Sequence, residues 1–72
     1  MDELKLYDLF RELFPLFDVI SFNRAGENSI QLFTSIPGLA FIFTFKSISE
    51  WRLETTCMYG NELVKENSNE LE

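Results

Sequence analysis

The sequence predicts an α+β domain: an N-terminal amphipathic helix packed on one face of a four-strand antiparallel meander, in the order α-β-β-β-β. Three observations carry this. Apolar residues recur at three- and four-residue steps over the first fourteen positions, which is the spacing of one helix face. From residue 17 onward, apolar and polar residues alternate in short runs, the period of half-buried strands. The runs are joined by only a few residues, too few for the crossover that a parallel pair needs.

The helix is "ELKLYDLFRELF", residues 3 to 14. Leu6, Leu9, Phe10, Leu13 and Phe14 form its apolar face, with Lys5, Asp8, Arg11 and Glu12 opposite. Asp2 is placed as N-cap, and Glu3 suits the positive end of the helix dipole. Asp8 and Arg11, three apart, are spaced to pair. Pro15 lacks an N–H and drives Phe14 toward extended backbone. The helix therefore ends there, or kinks and runs on to Asp18.

The first strand is "FDVISFN", residues 17 to 23, with Ile20 and Phe22 on one side and Val19, Ser21 and Asn23 on the other. "RAGEN", Arg24 to Asn28, is a hairpin loop in which Gly26 is expected to supply a positive φ. "SIQLFTS", Ser29 to Ser35, sets Ile30 and Leu32 against Gln31 and Phe33. Pro37-Gly38 is the signature of a type II turn. It leads into "LAFIFTFK", with Phe41, Phe43 and Phe45 at every second position. "SIS" turns the chain, and "EWRLETTCM", Glu50 to Met58, sets Trp51, Leu53 and Cys57 against Arg52, Glu54 and Thr56. Residues 1–60 make one domain. Residues 61–72 read as a polar acidic tail, frayed or helical. Leu71–Glu72 matches a dipeptide that commonly precedes an affinity tag.

A domain of 72 residues has a small core, and below about 70–80 residues a core alone rarely supplies more than ~3–5 kcal/mol. One cysteine excludes an intrachain disulfide, and the absence of histidine excludes His-containing zinc sites. Eight Phe, Trp51 and two Tyr, together with self-association, are the remaining sources of stability.

Twelve carboxylates against six Lys and Arg give a net charge of −6. Such a chain repels phosphate backbones and anionic membranes, so neither is an expected partner. The N-terminus has no signal-peptide pattern, and no apolar run reaches the ~20 residues that span a bilayer. With one unpaired cysteine, the expected location is cytoplasmic.

No catalytic, cofactor-binding or metal-binding residue is expected. The usual base for nucleophilic catalysis is missing, and Cys57 is expected to be a buried, inert small hydrophobe. Asp18, Glu27, Glu50 and Glu54 fall on different elements, and Glu62 and Glu66 flank Lys65 as a solvated face. The three isolated glycines make no phosphate loop.

The alternating Phe41, Phe43 and Phe45 also suit a base-stacking RNA-binding strand. Such sheets carry basic flanks and two helices, whereas here the nearest cation is Lys46. Strand parity decides against stacking. Turning the three Phe outward would bury Arg52 and Glu54, at a cost of several kcal/mol unless they pair well. The Phe therefore face the helix, and the other sheet face is mostly polar, as a sheet covered on one side requires.

Phe33, Ile42 and Met58 are apolar residues left on that polar face, and they are the candidate interface. The open edge of the terminal strand, "RLETT", is a second candidate surface. The expected function is a small non-enzymatic protein-interaction module. It would associate with itself, as a dimer, or with another protein, through the open face or the edge. The alternative is an acidic nucleic-acid mimic that occupies a basic protein surface with Asp8, Glu12, Glu62, Glu66 and Glu70. A small enzyme ranks third.

Overall fold

The computed structural model describes residues 1–57 and 59–67. Helix α1 (Glu3–Leu13) is followed by strands β1 (Ser21–Gly26), β2 (Ser29–Phe33), β3 (Ala40–Ser47), β4 (Glu50–Thr55) and β5 (Glu62–Asn67). The strands form one sheet in the order β1-β2-β3-β4-β5, and every neighbouring pair is antiparallel. The fold is the expected helix on a meander, with five strands in place of four.

The helix starts and stops for the reasons its sequence implies. Asp2 is extended, and its Oδ1 accepts the Lys5 N–H at 2.9 Å, satisfying one of the first-turn donors. At the other end Phe14 leaves helical geometry at φ −133°, one residue before Pro15. The helix does not continue to Asp18. Arg11 does not pair with Asp8. Its Nε donates to the Tyr7 hydroxyl at 2.9 Å and its Nη1 to the Phe17 carbonyl, so it pins the chain leaving the helix.

Alternation places two kinds of cross-strand row. Leu32 lies opposite Phe41, Ile30 opposite Phe43, Phe43 opposite Leu53, and Phe45 opposite Trp51. All of these are buried, together with Leu6 and Phe10 of the helix. The helix covers this inner face. Phe10 meets Phe43 edge-on, Phe17 meets Phe41, and Phe14 meets Trp51. Tyr7 stacks on Phe22 of β1 with centroids 4.4 Å apart, so Tyr7 belongs to the packed stripe. The three alternating Phe are core.

Several elements differ from their expected form. Residues 17 to 20 are a connection, because the Asp18 carboxylate accepts from both the backbone N–H and the hydroxyl of Ser35. Ile20 is consequently exposed at the start of the sheet. Gly26 does not carry a positive φ. The hairpin is closed instead by a register shift between Arg24 and Gly26, a bulge that tightens the local twist. Strand β4 ends at Thr55, leaving Cys57 exposed rather than inward. Gly38 does adopt φ +82°, and Leu39 N–H bonds the Ile36 carbonyl at 3.1 Å, closing the Pro-Gly turn.

The segment after residue 60, expected as a frayed or helical tail, instead forms β5 from Glu62 to Asn67 and joins the sheet; "ELVKEN" has almost no alternation to mark it. All six of its residues are exposed, so no buried face imprints a period on them.

Candidate protein-interaction face

Residues of opposite parity to the core make up the outer face. No element follows β5 among the described residues, and the helix lies on the inner side. The two central strands place the expected apolar pair together. Phe33 is opposite Ala40, and Ile42 is opposite Gln31. That makes Phe33 and Ile42 diagonal neighbours on one face, roughly 7–8 Å apart in such a ladder and within reach of an aromatic side chain. Both are half-buried. Met58 lies outside the described residues.

Charge divides this face into two regions. The outer positions are Ser21 and Asn23 on β1, Ser29, Gln31 and Phe33 on β2, and Ala40, Ile42, Thr44 and Lys46 on β3. As far as Thr44 none is charged, although 25% of the chain is. Charge begins at Lys46, exposed at the bulge that ends β3, and continues on β4. There Arg52 and Glu54 form an ion pair at 3.2 Å, and Glu66 of β5 lies opposite Arg52. Leu63, half exposed, is opposite Glu54. Depletion of charge is the compositional mark of an interface core, with a polar rim around it. The signal was present in the sequence: no charged residue occurs from Asn28 to Phe45.

Both sheet edges are built unlike this face. β1 carries the bulge beside Gly26, and the β4–β5 ladder shifts between Leu53 and Glu54. The inner row through Ile30, Phe43 and Leu53 ends in a cation at each edge, Arg24 on β1 and Lys65 on β5. Bulges and inward-pointing charges are the devices that stop an edge from pairing with another sheet. Arg24 is further engaged: its guanidinium donates to the carbonyls of Met1, Gly26 and Glu27 and meets Glu3 at 3.4 Å.

The carboxylates of the acidic-mimic reading are not on one face. Asp8 and Glu12 are on the helix, which covers the inner side, and Glu62 lies opposite Thr55 in an inner row, whereas Glu66 pairs in register with Arg52 on the outer side. Glu70 is outside the described residues. Among the described residues no three side chains of metal-binding type come together. Cys57 lies in the β4–β5 connection, its thiol facing the Gly60 carbonyl. Among the described residues no helix is long and apolar enough to cross a membrane. No protein-family model matches the chain, and neither a curated protein nor a solved structure matches it.

Proposed function

We propose that this chain is a small, non-enzymatic protein-interaction module, and that it works through the outer face of β1 to β3. One observation carries the reading: the outer positions of three adjacent strands are uncharged from Ser21 to Thr44, with Phe33 and Ile42 grouped among them and Lys46 only at the end of β3, in a chain of net charge −6. A solvated sheet face normally gains solubility from charge. Leaving it uncharged costs solubility and is sensible where the surface is covered. The face is favoured over the edges because both edges carry a bulge and an inward cation. The proposed setting is the cytoplasm, which suits the exposed, unpaired Cys57.

The reading is tested in the cells that make the protein. A photo-crosslinking residue is introduced at Gln31 on the outer face and, separately, at Glu12 on the helix. Adducts of discrete mass from position 31, with none from position 12, are expected. Adducts from position 12 alone, or from neither position, would reject it.

A further inference from the structure

We infer that the partner on this face is a second copy of the same chain, docked outer face to outer face about a two-fold axis that passes near Gln31. The inference rests on the interaction-face reading above and adds the identity and geometry of the partner. Charge is the first argument. Two molecules of net charge −6 repel one another wherever their carboxylates approach. The β1–β3 outer face is where that repulsion is least, because its outer positions carry no carboxylate and a single cation, Lys46, at the end of β3. A basic partner would be drawn instead to the carboxylates of the helix, and a face without carboxylates offers it no steering.

Symmetry is the second argument. A two-fold interface uses the same patch on both subunits, so the patch must complement itself. Gln31 lies at the centre of the patch, between Asn23 on β1 and Ile42 on β3. A side-chain amide carries both donors and an acceptor, so Gln31 can bond its own symmetry copy. Phe33 and Ile42, offset to one side, then fall against the copy's sheet. Arg52 and Glu54, already paired on β4, are left at the rim. The result is two sheets packed face to face at roughly 10 Å with a helix on each outer side.

The face is small. Three strands at roughly 4.8 Å spacing are about 14 Å across, which places the contact at or below the low end of specific interfaces. The association is therefore weak, with a dissociation constant of about micromolar or above, and reversible on dilution.

Three measurements on the purified full chain test this. Sedimentation equilibrium over about 1 μM to 1 mM, a range spanning the affinity expected of so small a contact, should approach twice the 8.5 kDa of one chain. Gln31→Glu and Gln31→Lys should each weaken dimerisation by at least about tenfold. An equimolar mixture of the two variants should restore it, with unchanged circular dichroism. In a Cys57→Ser background, a bis-maleimide of roughly 10 Å reach should link Gln31→Cys pairs and leave Lys65→Cys unlinked.

A monomer throughout the range overturns the self-docking geometry. So does a dimer indifferent to both Gln31 charges, or one linked through Lys65. If position 31 still gives adducts in cells while the purified chain stays monomeric, this inference fails and the interaction-face reading survives. If both fail, the face has no partner.

Discussion

Phe10 of the helix meets Phe43 of the central strand edge-on, with ring centroids 5.4 Å apart and planes inclined at 68°. Neither ring has any accessible surface. Phe10 also touches Phe14 and Phe17, and Phe43 touches Phe45 and Trp51. This pair is where the helix and the sheet become one core.

Replacing Phe10 by Ala is therefore expected to unfold the chain. Truncating a buried Phe costs about 3–5 kcal/mol, comparable to the whole stability of a domain this size, roughly 3–5 kcal/mol. Ile30→Val, which removes one buried methylene opposite Phe43, should cost only about 0.5–1.5 kcal/mol and remain folded. Urea titrations followed by Trp51 fluorescence would separate the two. A cooperative transition in Phe10→Ala close to that of the unaltered chain would refute the core assignment.

Gly38 and Gly26 should respond differently to Ala. Gly38 sits at φ +82° with nothing near its missing Cβ. Its replacement meets no clash, only the left-handed backbone penalty, about 1–2 kcal/mol. Gly26 has an ordinary φ, and its added Cβ would approach the Ser29 Oγ at 3.0 Å, a hydroxyl free to rotate. Gly26→Ala should be near neutral, because the lower entropy of the unfolded chain offsets the adjustment. Thermal melts of both variants check the contrast. Equal losses would show that the hairpin, too, depends on glycine's freedom.

These cases show what could be read from the residues alone. The helix, its cap and its end at Pro15, the inward Phe41, Phe43 and Phe45, and the Pro-Gly turn follow from local chemistry, and local chemistry is written in sequence. Gly26 departs from the expected positive φ because a bulge and a positive-φ turn favour the same residue. Residues 17–20 depart from the expected strand because the Asp18–Ser35 contact joins residues 17 apart, which no local pattern records. Strand β5 left no alternation because neither of its faces is covered. On the candidate face, Phe33 and Ile42 were legible from parity. The charge-free run from Asn28 to Phe45 is legible too, but only the register sets β1 beside it and makes it one face.

The Asp18 latch predicts a pH dependence. The Ser35 hydroxyl, the Ser35 backbone N–H and, more weakly, Arg11 hold the Asp18 carboxyl below its ordinary value of 3.8. A depressed carboxylate binds fewer protons in the folded state than in the unfolded one. Its stabilisation is thus fully present above 3.8 and fades as pH falls through the lower folded value. Asp18→Asn should lower the melting temperature at pH 7. The gap to the unaltered chain should then close progressively below pH 3.8, when both are melted across that range. A gap that stayed constant down to the acid limit would exclude a charge-dependent latch.

The edge of β5 predicts a change in assembly without a change in fold. Lys65 is opposite Leu53 on the inner side, at the end of the row that begins with Arg24. It is exposed there, so Lys65→Val should leave the core intact. It would, however, remove the inward charge and give "ELVVEN" two adjacent β-branched residues on an open edge. Unprotected edges of that composition pair with one another. The variant should keep its circular dichroism spectrum at low concentration but show turbidity and growing light scattering at high concentration. Arg52→Val, on the face rather than the edge, should not gain this behaviour, because Glu66 and Glu54 still flank the site. If Lys65→Val stayed as dispersed as the unaltered chain, the bulge at Val64 would be sufficient protection by itself. Deleting Val64 would then be the change that opens the edge.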